Sequence, residues 1–418
     1  MQPPTPSPAV NTALGTVAER YVKLVLDVGQ QDEGYVDAYY GPPEWQAAAG
    51  ARKVPFEQLA TEAAALRTLV RGIDVSGAEE IVRLRKEYLD KQLGAVATRI
   101  ATLQGRRITF DEESQALYDA VSPPMPESQR LAIIDSLSAA VPGSAPLAER
   151  VETFRRGFVI PPDRIDGVFR AAIAEARRRT AARLTLPAGE SFVLEYVKDK
   201  PWSGYNWYKG NAQSLIQINT ELPIFIDRAI DLAAHEGYPG HHVYNALLEQ
   251  RLVRDRGWVE FTVYPLFSPQ SLIAEGSANY GVDVAFPSAD RMEFEKRVLF
   301  PLAGLDPARA EQYYRVQKLT AKLTYAANDV ARDYLDGRID RAEAEGRLVS
   351  RALSSPERAR QRVRFFDTYR SYVINYNLGM DLVRSWIERN GGTDSNTNRR
   401  WQLFEELLSS PRLPSGLR

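Results

Sequence analysis

The sequence predicts a mainly α-helical protein with one small β-sheet, and three observations carry that expectation. Apolar residues return at three- and four-residue intervals over most of the 418 residues, helix-start signals recur, and strict two-residue alternation is confined to one short region. The first helical segment, near 11–29, shows its apolar stripe as Val17, Tyr21, Val22 and Leu24 to Val28. Further segments are expected near 56–72, 76–104, 111–121, 126–141, 144–157 and 161–185, broken at Pro123-Pro124 and Pro161-Pro162, where proline withdraws a backbone donor. Ser76 with Glu79 reads as a capping box, and so does Asp340 with Glu343. Ser355 before Pro356 combines a cap with a first-position proline.

The period changes between about 187 and 220. Phe192, Leu194 and Tyr196 alternate with Val193, Glu195 and Val197, so Ser191 to Val197 is expected to be a strand. Ser214 to Ile218 is expected to be a second one, with an edge on which an extended peptide could pair. Between them, Tyr205, Trp207, Tyr208, Lys209 and Asn211 read as an aromatic and polar loop that lines a cleft or covers the sheet. An apolar helix over 222–234 follows, and helical periodicity then continues to about Leu408. The expected organisation is a flexible Pro-rich tail over 1–12, an N-terminal helical half over 13–185, a half over 186–408 that carries the sheet, and a tail over 409–418. A central cleft would lie between the two halves.

Composition narrows the chemistry. With 53 Lys+Arg against 54 Asp+Glu the formal net charge is -1, which removes the bulk electrostatic case for binding nucleic acid or an anionic membrane. The chain has no Cys, so disulfides, thiolate metal sites and cysteine nucleophiles are excluded together. No apolar run approaches the roughly 18 to 20 residues that span a bilayer. Met1 to Thr12 lacks both a basic start and an apolar core, so it does not read as a signal peptide, and a cytoplasmic location is the expectation. Oligomeric state is not encoded in any of these patterns.

All three histidines fall in His235-Glu236-Gly237-Tyr238-Pro239-Gly240-His241-His242. A helix-end imidazole would explain one of them. Three, with an adjacent Glu and directly after an apolar segment, point to a metal site, because neutral imidazole is the commonest protein ligand for zinc. The Glu after the first His resembles the base of H-E-x-x-H metalloproteases, but here the next His is six or seven positions on and position 239 is proline. On a straight helix six residues separate two ligands by about 9 Å, too far for two nitrogens each about 2.0–2.1 Å from one zinc. Pro239 and Gly240 allow a break that folds the second His back. Either His241 or His242 could then serve. A catalytic zinc needs a third protein ligand, and Glu249, Glu260 and Glu275 are the downstream candidates. Glu275 stands out because its helical surroundings, Ser271 to Tyr280, are otherwise small and apolar and would bury its carboxylate. Asn279, one turn later, suits the N–H of an imidazole.

At these residues the sequence resembles the DUF885 family of bacterial proteins, which is placed beside the gluzincin metallopeptidases. The resemblance rests on His235-Glu236-x-x-Pro239-Gly240-His241-His242, on Glu275-Gly276-x-Ala278-x-Tyr280, on Tyr376-x-x-Gly379 and on Tyr39-Tyr40-Gly41-Pro42. It implies a large helical, gluzincin-like, zinc-dependent hydrolase of peptide bonds, with His235, His241 and Glu275 as ligands and Glu236 as general base. Ser277 stands where an aromatic residue is common in the family, and Asn375 precedes the Tyr, which bears on substrate preference. Peptides or small amides would be the substrates. Tyr376 is expected to donate to the oxyanion, with Tyr372 one turn earlier as its alternative. His242, Asn279 and Tyr280 would support the ligands or touch substrate, and Arg364 and Arg370 could hold a substrate carboxylate, although arginine is abundant here and surface roles are the favoured expectation for both. Two competing readings remain: a two-His-one-carboxylate iron enzyme, and a non-catalytic helical binding protein whose structural metal takes His242 as a fourth ligand.

Overall fold

In the computed structural model, which describes residues 8–418, the chain opens with a helix over Pro8–Gly29. Its inner stripe of Leu14, Val17, Tyr21, Val22 and Val25 is buried against the Phe56–Gly72 and Glu80–Leu103 helices. Helix therefore starts ahead of the boundary expected at residue 13, and the remainder of the predicted N-terminal tail, 1–7, lies outside the described residues. Helices over Phe110–Tyr118, Glu127–Ala140, Leu147–Arg156 and Ile165–Ala181 continue the array.

Caps show where local chemistry set the boundaries. Asp340 and Ser355 accept from the amides of Glu343 and Arg358, as the sequence predicted. Ser76 does not cap: its amide is held by the Asp74 carboxylate at 2.9 Å, and this tight turn delays the helix to Glu80. A reciprocal box at Thr109 and Glu112, which the pattern T-x-x-E announces, opens Phe110–Tyr118.

Among the described residues five strands form two sheets: β1 (Val36–Tyr39), β2 (Ser191–Val197), β3 (Gly204–Gly210), β4 (Gln213–Asn219) and β5 (Val263–Pro265). In the larger sheet the order is β2-β4-β3, with β2 parallel and β3 antiparallel to β4. This corrects two expectations. The stretch 202–211 is largely strand rather than loop, and β4 is the central strand, so the free edges belong to β2 and β3. Strands β1 and β5 pair antiparallel, Tyr39 opposite Val263, and bring the N-terminal segment beside the second half. Both halves contribute to one continuous buried core.

The helix expected over 222–234 begins only at Asp227. Ile224 and Ile226 are instead engaged in backbone bonds to Ile160 and Phe158, which set Phe225 in an antiparallel bridge with Val159 ahead of the helix. At the centre the Pro269–Ala285 helix is almost wholly buried and crosses the Ile374–Arg389 helix at a glycine pair. A Cβ on Gly276 would lie 2.4 Å from the Gly379 carbonyl carbon, so the two backbones are in contact. Residues 409–418, expected to trail off, fold back, and Leu413 and Leu417 are buried in the core. No helix among the described residues is long and apolar enough to cross a membrane.

Candidate metal centre

The histidine segment is bent as its Pro-Gly pair requires. After Leu232 the helix widens into one π turn over Ala233–Gly237, in which the Tyr238 amide donates to the Ala233 carbonyl at 3.1 Å. The Gly240 amide then donates to the Ala234 carbonyl at 2.8 Å, after a cis Tyr238-Pro239 bond. A Cβ on Gly240 would sit 1.9 Å from the His235 carbonyl oxygen, so only glycine fits. A new helix, His241–Leu248, starts at once. The two imidazoles separated by six residues consequently meet, with Nε2 of His235 3.1 Å from Nε2 of His241.

Glu275 completes the cluster from the buried Pro269–Ala285 helix. Its Oε2 lies 3.2 Å from His235 Nε2, and its Oε1 lies 3.7 Å from His241 Nε2. Two ligands bonded at 2.0–2.1 Å to one tetrahedral ion stand about 3.3 Å apart, so the two imidazole nitrogens at 3.1 Å, and Glu275 Oε2 at 3.2 Å from His235, are close to the spacing a zinc requires, while His241 faces the other oxygen of the same carboxylate. One of these oxygens also lacks any hydrogen-bond partner. Glu275 Oε2 is buried without a hydrogen bond, and two ring nitrogens at 3.1 Å repel unless a proton or cation lies between them. The donor set therefore fits a divalent cation. Glu236 comes within 4.8 Å of both histidines as well, but its Oε1 stays 4.0 Å from His235 Nε2, which places it beside the cluster rather than in it. The other two candidates are engaged elsewhere: Glu249 by Tyr208 and Arg254, Glu260 by fully buried Arg85.

Neighbours fix the donors. The His235 Nδ1–H donates to Asn279 Oδ1 at 3.0 Å, leaving Nε2 free to face the cluster, and Asn279 Nδ2 donates to the Tyr376 carbonyl at 2.9 Å. The Tyr372 hydroxyl donates to Glu275 Oε1 at 2.8 Å. The Tyr376 ring lies 6.4 Å from that of His235 at 26°, and its hydroxyl has no partner among the described residues. The two tyrosines thus divide the roles that the sequence left open: Tyr372 braces the carboxylate, and Tyr376 presents a free donor.

His242 turns away. It is fully buried, with Nδ1 2.9 Å from Ser214 Oγ and Nε2 3.0 Å from Glu190 Oε2, and it ties β4 to the helix that carries His241. The fourth ligand of a closed structural site is thereby not supplied by His242. Tyr280, expected near the ligands, packs instead against Phe404 and Arg384. The substrate anchors suggested among the arginines are paired off, Arg370 with Glu113 and Arg364 with Glu221 at 3.5 Å.

Electrostatics follow from burial and from these partners. Burial opposes a charged His241, but Glu275, then Glu236 and Asp37, outweigh it and raise its pKa to about 9. Burial would likewise raise Glu275, yet His241 and His235 hold it well below the usual carboxylate range. For Glu236 burial wins: despite His235 and His241 its pKa is raised.

Several neighbours escaped the sequence reading. Asp37 on β1, half-buried, accepts from the Tyr205 hydroxyl, and burial pushes its pKa up to about 6 against the opposing effects of Tyr205 and His241. Glu190 secures His242, Tyr238 and Arg177 together. Gly204 on β3 lets that strand approach so closely that a Cβ there would be 2.8 Å from Glu236 Oε1. Only the Tyr39 to Pro42 segment hinted at this part of the site, and its own side chains prove structural: Tyr40 donates to the Phe261 carbonyl at 2.6 Å.

No protein-family profile matches the chain, and no curated protein does. Solved structures do. A candidate lipoprotein from Colwellia psychrerythraea matches at 14% identity with a TM-score of 0.52, covering 89% of this chain and 67% of that one. A second, of unknown function, from Shewanella oneidensis shows 12% identity and a TM-score of 0.44 over 87% of this chain and 75% of its own. An M32 carboxypeptidase from Deinococcus radiodurans R1 shows 13% identity and a TM-score of 0.36 over 95% and 90%. The first likeness establishes a shared, mainly α-helical fold and nothing about chemistry. The other two superpose too loosely to carry an argument.

Proposed function

We propose that the chain is a zinc-dependent hydrolase of peptide or amide bonds, with His235, His241 and Glu275 holding the metal and Glu236 acting as general base. The observation that carries this reading is the convergence of two imidazole nitrogens 3.1 Å apart with the Glu275 carboxylate, whose two oxygens lie 3.2 and 3.7 Å from them, beside a buried carboxylate, Glu236, whose Oε2 has no partner. When bound, zinc supplies Lewis acidity that polarises a carbonyl and brings the pKa of water toward 7. Glu236 takes the proton of the attacking water and returns it to the leaving amine. Tyr376, with its hydroxyl free, donates to the developing oxyanion. Asn279 and Tyr372 keep His235 and Glu275 oriented throughout. The edge of β3 away from β4 has no strand partner among the described residues, and Gly204 brings this strand against Glu236, so an extended peptide can pair there.

The test is mass spectrometry of a mixed peptide library incubated with zinc-loaded protein. Cleavage products are expected from the wild type. Glu236→Gln should keep the metal and lose the products, and full activity in that variant would remove Glu236 as base.

A further inference from the structure

The helix over Pro356–Tyr369 carries four arginines, and only one of them is without a partner. Arg358 donates to the Pro223 carbonyl at 2.9 Å, Arg360 pairs with Glu357 at 3.3 Å and Arg364 with Glu221 at 3.5 Å. Arg362 has neither a carboxylate nor a hydrogen-bond acceptor among the described residues. Its guanidinium rests against rings only, 5.4 Å from the centroid of Phe365 and 5.7 Å from that of Phe366.

Position makes this vacancy informative. Arg362, Phe365 and Tyr369 share one helical face, and that face meets the tyrosines of the metal centre. Phe365 lies 6.1 Å from Tyr376 and 6.5 Å from Tyr372, ring to ring, and Tyr376 stacks on His235. The ionisable group that Arg362 feels is the Tyr376 phenol, the same hydroxyl left free at the metal centre. Arg362 is only half-buried, so its donors remain reachable, while burial of the rest lowers its pKa. A guanidinium carries five donors in a fixed fork that matches a carboxylate, and leaving it half-buried and unpaired is unfavourable.

We propose that Arg362 receives a carboxylate of the substrate and so makes this a hydrolase of anionic peptides, an inference that rests on the hydrolase reading above. The carboxylate can come from the peptide's C-terminus or from an acidic side chain. Both present the same planar pair of oxygens to the fork.

The experiment uses zinc-loaded full-length protein and one short peptide in three forms: the free C-terminal acid, the C-terminal amide, and that amide carrying a glutamate near the scissile bond. A charge-assisted pair predicts that kcat/KM for a carboxylate-bearing form exceeds that of the neutral amide by about 10- to 100-fold. Preference for the first form identifies the C-terminus as the source, and preference for the third identifies the side chain. Arg362→Gln should bring the ratio near one, mainly through KM, and Arg362→Lys should restore part of it. Equal hydrolysis of all three forms, or a preference that survives Arg362→Gln, overturns the inference and leaves the hydrolase reading intact. Hydrolysis of none of them, nor of the peptide library, overturns both. Should the variants fail to fold, the comparison of the three peptides with wild-type protein decides alone.

Discussion

Replacing Gly276 by alanine tests how the centre is assembled. The new Cβ would lie 2.4 Å from the Gly379 carbonyl carbon and 2.5 Å from its oxygen, about 1 Å short of the 3.4 Å at which ordinary contact begins. Both opposing atoms are helix backbone and cannot rotate aside, so the Pro269–Ala285 and Ile374–Arg389 helices must part by a comparable distance. That movement carries Tyr372 away from Glu275, now 2.8 Å apart, and Tyr376 away from Asn279, now 2.9 Å. Both bonds would pass beyond hydrogen-bond range. Each buried group left unpaired costs about 1–3 kcal/mol, so a loss of about 2–4 kcal/mol in unfolding free energy is expected. A displacement of about 1 Å at Tyr376 should lower kcat on the order of 100-fold. Urea unfolding and turnover of a cleaved library peptide measure the two effects. Gly379→Ala, whose Cβ would meet the Leu272 carbonyl at 2.7 Å, should act in the same direction, and the double variant should be less than additive because one contact is relieved twice. Wild-type turnover and stability in Gly276→Ala would refute the idea that close helix approach sets the tyrosines in place.

Other perturbations separate the roles of single residues. Tyr376→Phe should retain zinc and full stability yet lose about 100-fold in kcat, measured on the same peptide; unchanged kcat would assign the oxyanion to another donor. His242→Ala leaves Glu190 and Ser214 short of a buried partner and should destabilise by about 1–3 kcal/mol in urea while zinc content stays stoichiometric; loss of zinc with no loss of stability would return His242 to the ligand set. Far from the site, Arg178, and then Arg179, lower the pKa of Glu175 from 4.5 to about 2 against the opposing effect of burial. A depressed carboxylate contributes stability that is complete above its unfolded value and lost as pH falls through the folded one. Glu175→Gln should therefore be less stable at pH 7, by about 1 kcal/mol, and no different near pH 2; a constant difference at both would contradict the assignment.

The parts of this structure that the sequence discloses are those governed by neighbours along the chain. Helix stripes, the Asp340 and Ser355 caps and strand β2 arise from local periodicity and local hydrogen bonding, and each is found where its pattern lies. His235, Pro239, Gly240 and His241 are legible for a related reason: two histidines six apart on a helix can meet only if the chain bends between them. Strand β3 was hidden because its aromatic and polar residues alternate without an apolar face, and pairing with β4 decides its conformation. Asp37 and Glu190 were hidden more deeply. Asp37 reaches the centre through the pairing of β1 with β5, more than two hundred residues apart in sequence, and no local signal encodes that. Among the arginines, which one lacks a partner is likewise settled by the fold: Arg364 and Arg370 pair with Glu221 and Glu113, in keeping with the surface roles favoured for them, and no local signal singles out Arg362.

Elemental analysis of zinc bound to purified wild-type protein and to five single variants addresses the metal centre most directly. One zinc per chain is expected for the wild type, His242→Ala and Glu236→Gln, and loss of zinc is expected for His235→Ala, His241→Ala and Glu275→Ala. Stoichiometric zinc in Glu275→Ala, or its absence from zinc-replete wild-type protein, would contradict the three-ligand centre proposed above.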